Sequence, residues 1–505
     1  MELQHDSAAG GVDVESRSPA IHHRDVAAAV IGDERIRLTE EDNVRIKRKT
    51  DKTILVVLVC IYFLQVLDKA VLGTASLFNL KEDLGLHGNQ YSWISSIHSI
   101  AQLGWQPFSM WLIVRVPHRI VMPTLVLGWG ISQACMAACK NFGSLLAARF
   151  FLGLFEAGCL PLFGVITSQW YRRAKQPVRV AVWHSSNGTA TIVASALSYG
   201  LGRIPSSLLK PWQTIFLFTG LLTIVSAAWG YWRLDNNIST ARFLNEREKQ
   251  QAVERLRANQ TGTGSREFKW AHIKEMLLEP KSYLWLAMSV LVNIGASVAS
   301  VFGPLFIVIL GASWAARSAK LKSAVLASFM VPVIVGSAML YALDRGPSQK
   351  ALLVVAYYFL AFMFAGNPLI VSWIVGNTAG TTKQSVIMSV FQTGLAVGNI
   401  IGPLLFHEKD APVYLPGLRG ILGVFVVRIA CIGIQVANLV VLSKLQSKKR
   451  VKNGKAAVIE DHSMKTTYES YDDGKDSSDG AGMPLGQQAF LDLTDRENDE
   501  FVYIY

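Results

Sequence analysis

Charged side chains are scarce in this sequence. Asp, Glu, Lys and Arg make up 17% of its 505 residues, where a soluble domain carries about a quarter. The shortage is uneven, because residues 1–50 and 446–505 are polar while apolar runs of about 20 residues recur between them. That pattern excludes a single soluble domain. Cysteine is also scarce. All five, Cys60, Cys135, Cys139, Cys159 and Cys431, fall in apolar runs without zinc-type spacing. Buried thiols are expected rather than a disulfide framework. About fifty polar residues precede the first apolar run, so no cleavable signal peptide is expected. A phosphate-binding loop and a metal cluster are both missing, which leaves an ATP-driven pump and enzymatic catalysis without support.

What is present is a polytopic helical membrane protein, since only helices and closed barrels satisfy backbone polar groups in lipid. Spans are predicted at 53–73, 92–112, 120–139, 145–167, 180–201 and 212–234, then across a run at 283–316, then at 322–343, 351–375, 383–406 and 418–445. The net charge of +12 sits mostly beside these runs, so it sets topology rather than binding nucleic acid. Arg45, Lys47, Arg48, Lys49 and Lys52 end the N-terminal tail, and Arg172, Arg173, Lys175 and Arg179 crowd one loop. Both segments are expected in the cytoplasm, as is the C-terminus after "SKKRVKNGK".

The expected organisation is a cytoplasmic tail (1–52), a six-helix half (53–234), a central cytoplasmic loop (235–281), a second helical half (282–445) and a disordered cytoplasmic tail (446–505). The run 283–316 has 34 residues, too long for one span and too short for two, which need roughly 40. Three readings stand. About 20 residues near "FGPLFIVILGASWAA" are lost, by splicing or in the reading of the gene. Alternatively 283–316 is a compressed hairpin. The third is a true eleven-span protein whose C-terminus lies outside.

Two charges stand in "RFFLGLFEAG", Arg149 and Glu156. Seven residues place them on one helix face, about 10.5 Å apart along the axis, too far to pair with each other. Each needs a partner elsewhere, so the face should point into the bundle or a wet cavity. Glu156 is a candidate proton carrier, and Arg149 offers a planar fork suited to a carboxylate; locking of helix packing is the alternative. Asp68 and Lys69 diverge by about 100° on their helix. One can face the cavity while the other pairs with a neighbour or snorkels. Further polar candidates for the cavity are His98, Gln102, Asn187, Asn293, Asn367, Trp373, Gln392, Asn399 and Arg428; interhelical hydrogen bonding is their alternative role. Gly394, Gly398 and Gly402 recur every fourth residue, and with Gly153 and Gly158 they suit close helix packing. Asn245 with Glu248 fits a helix cap ahead of "EREKQQAVERLRA". That helix is expected either to tie the halves together on the cytoplasmic face or to be a solvated linker.

Several stretches resemble fungal members of the anion:cation symporter family, the allantoate-permease-like carriers of the major facilitator superfamily. They are "LDKAVLGTASLFNLKEDLGLHGNQYSW" (67–93), "RFFLGLFEAGCLP" (149–161), "WYRRAKQPVRVAVW" (170–183), "TARFLNEREKQQAVERLRANQTG" (240–262), "FKWAHIKEMLLEPKSYL" (268–284), "NPLIVSWIVGNTAGTTK" (367–383), "GNIIGPLLF" (398–406) and the tail "FLDLTDRENDEFVYIY". The resemblance covers most of residues 38–505. It departs where the loop joining spans seven and eight is absent, and where "VRVPHRIVMP" stands for the usual Gly-Asp-Arg-type loop. It implies six plus six helices in two pseudo-symmetric halves, with spans seven and eight truncated here and about eleven recognisable. It also implies alternating access and proton-coupled uptake of a small organic anion or nutrient of the allantoate, nicotinate, pantothenate or cysteine kind. The glycine-rich fifth-span signature of drug/proton antiporters is missing, which favours symport. Glu156 and Arg149 match the fourth-span motif of organic-anion carriers that couple to protons. A proton gradient would replace any cofactor, and a monomer in the plasma membrane is the default. Export of a metabolite or drug, a non-transporting sensor and a nonfunctional splice form are the alternatives.

Overall fold

The computed structural model describes residues 36–505 except 37, 205–207, 263, 297–321, 345, 407–409, 411–413, 466 and 468–485. The expected truncation within 283–316 lies mostly outside these residues. Among the described residues the chain is helical throughout and no strand occurs. Helix α1 (Glu40–Thr50) passes through a π turn into α2 (Val56–Ala75). After a short helical turn come α3 (Gln90–Arg115), α4 (His118–Cys135), α5 (Phe142–Glu156), α6 (Cys159–Trp170), α7 (Gln176–Leu201) and α8 (Pro211–Arg233). Beyond them lie α9 (Glu246–Leu256), α10 (Trp270–Leu278), α11 (Pro280–Ala296), α12 (Lys322–Ala342), α13 (Lys350–Leu360), α14 (Gly366–Gly376), α15 (Thr381–Leu404) and α16 (Leu415–Lys452).

Among the described residues eight helical segments are long and apolar enough to cross a membrane: Glu40–Ala75, His118–Ala138, Phe142–Trp170, Pro211–Arg233, Lys322–Ala342, Pro347–Gly376, Thr381–Leu404 and Leu415–Lys452. α3 and α7 are as long, at 26 residues each, but carry more polar side chains. Their polarity belongs to the interior, where His98, Gln102 and Gln106 of α3 and His184, Ser185 and Ser186 of α7 are buried. The outer faces are apolar instead: Phe151, Leu221, Val225, Val426, Ile434 and Val441 are all exposed, as a lipid-facing surface requires.

Close packing depends on glycine where two backbones meet. A side chain on Gly153 of α5 would run into the His98 carbonyl oxygen of α3, and one on Gly394 of α15 into Ser289 of α11. At Gly398 an added Cβ would stand 2.6 Å from the Val290 carbonyl oxygen.

The termini gather at one end of the bundle. There α9 begins with a capping box: Asn245 Oδ1 accepts from the Glu248 amide at 2.8 Å, and Glu248 Oε2 accepts from the Asn245 amide at 3.1 Å. The helix is no solvated linker. Glu248 pairs with Lys49 at 2.7 Å, and Arg255 Nη2 donates to the Trp170 carbonyl at 3.0 Å. The segment then crosses to the other half, where Ser265 and Lys269 amides donate to Thr381 and Thr382 hydroxyls at 2.9 and 3.1 Å. The expected disorder of 446–505 is corrected at both ends. α16 runs on to Lys452, and residues 486–505 fold against the bundle, because their carboxylates and main chain meet buried basic groups there. All five cysteines are free thiols as expected, but only Cys139 and Cys159 are buried; Cys60 and Cys431 are half-buried and Cys135 is exposed.

Candidate functional site

Glu156 lies midway along the crossing made by α5 and α6, Phe142–Trp170, and is 1% exposed. Three side chains from two other helices turn toward it. From α2, Lys69 Nζ stands 2.6 Å from Oε1 and Gln65 Nε2 donates to the same oxygen at 2.6 Å. From α3, His98 Nε2 stands 3.2 Å from Oε2. Helical spacing explains the set, since Gln65 and Lys69 are one turn apart, as are His98 and Gln102. Lys69 is 40% exposed while its carboxylate partner is buried, so the lysine opens the group to a solvent-accessible space. His98 Nε2 also lies 3.1 Å from Gln102 Nε2. One ring nitrogen can donate to the carboxylate or accept from the amide, not both. Gln392 of α15 donates to Gln102 Oε1 at 3.4 Å, so the chain of contacts reaches the second half.

Arg149 shares the buried face with Glu156 but does not pair with it. It is 4% exposed, and its Nε and Nη1 are buried without hydrogen-bond partners. Among the described residues no carboxylate reaches ion-pair distance of the guanidinium; Glu156 and Asp68 attract it only from farther off, which is costly at this depth, and both are already engaged. Glu156 is held by Lys69, Gln65 and His98. Asp68 turns to the opposite side of α2, where its Oδ2 accepts from Trp129 Nε1 at 2.8 Å and Thr223 Oγ1 at 3.0 Å. Asp68 thus ties α2 to α4 and α8, while Lys69 pairs with Glu156 of α5.

The structure thereby brings together Lys69, His98, Gln102, Glu156 and Gln392, with Arg149 on the same helix face as Glu156. It does not bring the other candidates to them. Asn187 is half-buried on α7. Asn293 is buried on α11, donates to the Ser289 carbonyl at 3.2 Å and packs under Gly398. Asn367 is half-buried at the start of α14, its Oδ1 unpaired. Asn399 is exposed. Arg428 of α16 is fully buried, its three guanidinium nitrogens unpaired, against Gly366. Trp373 is buried away from any cavity: its indole N–H donates to the Ile504 carbonyl at 2.8 Å, and its ring meets Trp285 edge-on at 4.8 Å.

Gln65 was not among the expected residues, although it precedes Lys69 by one helical turn. One turn earlier, Tyr62 shares a 3.0 Å hydrogen bond with His184 Nδ1, inside an aromatic cluster with Phe163 and Trp183. At the end bearing the termini the halves touch directly. Ser168 Oγ donates to Gln384 Oε1 at 2.8 Å, and Ser385 Oγ to the Met110 carbonyl at 2.9 Å. Among the described residues no cluster of His, Cys, Asp and Glu could hold a metal ion.

A buried polar group between long helices, with an apolar outer surface, marks an integral membrane protein with a polar core. Residues 58–403 match the family model described as Major Facilitator Superfamily, and the chain belongs to that family. An uncharacterized transporter of Schizosaccharomyces pombe is 30% identical over 95% of this chain and 90% of its own length. The allantoate permease of Saccharomyces cerevisiae is 28% identical over 93% of this chain and 88% of its own. The solved fucose:proton symporter of E. coli shares the fold, with a TM-score of 0.54 over 75% of this chain and 99% of that chain, at 10% identity. The resemblance to allantoate-permease-like carriers and the major facilitator fold expected from it are both met. The protein is a multi-pass integral membrane protein that binds a small molecule within the bilayer.

Proposed function

We propose that the protein carries a small organic anion into the cell together with a proton, driven by the proton gradient without a cofactor. The observation that carries this reading is the contrast at one helix face: Glu156 fully engaged by Lys69, Gln65 and His98, and Arg149 buried without a counter-ion. A proton added to a Glu156 carboxylate oxygen removes its charge and releases Lys69 from the ion pair. The Lys69 ammonium and the Arg149 fork then both favour an incoming carboxylate. Counting Glu156, Lys69 and Arg149, entry of one proton with one anionic charge returns the site to its starting net charge, whereas a proton alone would add a second uncompensated cation. Through His98, Gln102 and Gln392 the contacts of Glu156 reach the second half.

The similarity to an allantoate permease supports a substrate of the allantoate, nicotinate, pantothenate or cysteine kind. The basic segments around both termini support cytoplasmic ends, and a monomeric carrier in the plasma membrane fits them. A six-helix half of about 53–234 and a shortened helical half of about 282–445, joined by a cytoplasmic segment, would rock about the midplane site. The test is uptake of labelled anions by yeast lacking its own related permeases, at acid and neutral pH. Proton-independent uptake, or a Glu156→Gln variant that keeps acid-stimulated transport, would overturn the coupling.

A further inference from the structure

The last twenty residues make more buried polar contacts than a passive tail needs. Asp495 is fully buried between Lys281 at 2.5 Å and Lys383 at 2.9 Å, both lysines being 1% exposed. Its Oδ2 also accepts from Tyr503 at 2.8 Å. The end of the chain docks through its main chain. The Ile504 carbonyl accepts from Trp373 and from Asn377 Nδ2 at 2.9 Å, the Ile504 amide donates to Asn377 Oδ1 at 2.7 Å, and the Tyr505 carbonyl accepts from the Lys322 amide at 2.7 Å. These partners all belong to the second half.

The first half is held as well. Arg173, in the loop between α6 and α7, donates Nη2 to the Val502 carbonyl at 2.9 Å and lies over the Phe501 ring, 4.6 Å from its centroid. The same guanidinium donates to the Gly376 carbonyl of the second half. Asn498 Nδ2 donates to Gln260 Oε1 at 2.9 Å, in the segment whose Asn259 holds the Tyr171 carbonyl. A buried ion cluster is a poor source of net stability, because desolvation consumes much of the attraction. Its better-attested use is to fix one arrangement of parts. Here the parts are the two halves, at the end where Ser168–Gln384 and Ser385–Met110 already close the space between them.

We propose that residues 486–505 are a releasable clamp, seated on the second half by Asp495 and the main chain of 504–505, which holds the termini-bearing end of the transporter shut through Arg173. Opening of that end then requires the Arg173 contacts with Phe501 and Val502 to break. This inference needs neither a proton nor an anion, so its failure leaves the proposed symport untouched.

The test is cysteine accessibility in the full-length protein, with the five native cysteines replaced and one cysteine placed at Ser168 or, separately, at Ser385. Purified protein is treated with a membrane-impermeant maleimide, and the labelling rate is read by mass spectrometry. Asp495→Asn is expected to raise the rate several-fold at both positions. Phe501→Leu, which removes the ring under Arg173 but keeps apolar volume at this fully buried position beside Tyr503, is expected to raise it as well with a smaller loss of melting temperature than truncation to alanine. Size-exclusion profiles separate opening from unfolding. Unchanged labelling in monodisperse Phe501→Leu protein overturns the clamp. So does faster labelling that only tracks the loss of melting temperature from variant to variant, which would make the tail a purely structural part.

Discussion

At the scale of single residues, the two charges of "RFFLGLFEAG" have opposite surroundings, and they predict different defects. Glu156 has three donors and Arg149 has no acceptor. Arg149→Ala is expected to weaken substrate binding by about 2–5 kcal/mol, the cost of truncating one side of a buried charged contact. Arg149→Lys is expected to restore little, since an ammonium cannot present the planar fork. The check is the concentration dependence of uptake, where KM should rise far more than the maximal rate falls. Asp68→Asn should act otherwise. Its partners Trp129 and Thr223 lie on other helices, so the loss is of stability, read as a lower melting temperature in detergent. Arg149 and Glu156 were legible because charge is rare in an apolar run. The division of labour between Asp68 and Lys69 was legible only as a divergence of directions. Which of them faces the cavity depends on Trp129 and Thr223, more than fifty residues away in sequence.

At the scale of helices, local rules explain more. The α9 capping box followed from Asn245 and Glu248 in sequence and is present with both hydrogen bonds. Asn245→Ala is expected to cost about 1 kcal/mol of stability, seen as an earlier thermal transition with uptake retained at low temperature. The small-residue spacing on α15 identifies a close helix contact. Its partner, Ser289 to Asn293 of α11, needed the three-dimensional arrangement. Gly398→Val is expected to cost at least the 1–3 kcal/mol typical of overpacking, because the nearest atom is a backbone oxygen that cannot give way. Trp373 shows where residue type misleads. An indole in a span reads as a cavity wall, yet its N–H is consumed by a main-chain carbonyl 131 residues away.

At the scale of the whole molecule, basic loop residues had been read only as markers of topology. Arg179 pairs with Asp51 at 2.7 Å, and Arg173 reaches the tail, so the same charges also hold the terminal segments in place. A composition such as "LDLTDRENDE" reads as disordered because it lacks a core of its own; it is ordered because the bundle supplies buried lysines. Burial alone would raise the Asp495 carboxyl, but the Lys281 and Lys383 ammonium groups hold it well below the usual carboxylate range. A lowered carboxylate gives stability that is present above its unfolded value, about 3.9, and is lost only as pH falls through the folded value. Hydrogen-exchange protection of residues 486–505 should therefore not fall between pH 7.5 and pH 5: Asp495 stays ionised, and Glu279, whose carboxyl burial pushes up beside the same two lysines, favours the folded form more as pH falls. A loss of protection at pH 5 would contradict this account of the tail.

The most direct measurement is uptake of labelled nicotinate, allantoate, pantothenate and cysteine by permease-deficient yeast, at pH 5 and pH 7.5, for the parent protein and Glu156→Gln. Surface expression is followed in parallel. The account predicts that one anion is taken up faster at pH 5 by the parent, and that Glu156→Gln reaches the surface but loses the acid stimulation. Equal uptake at both pH values, or acid-stimulated uptake by Glu156→Gln, would contradict it.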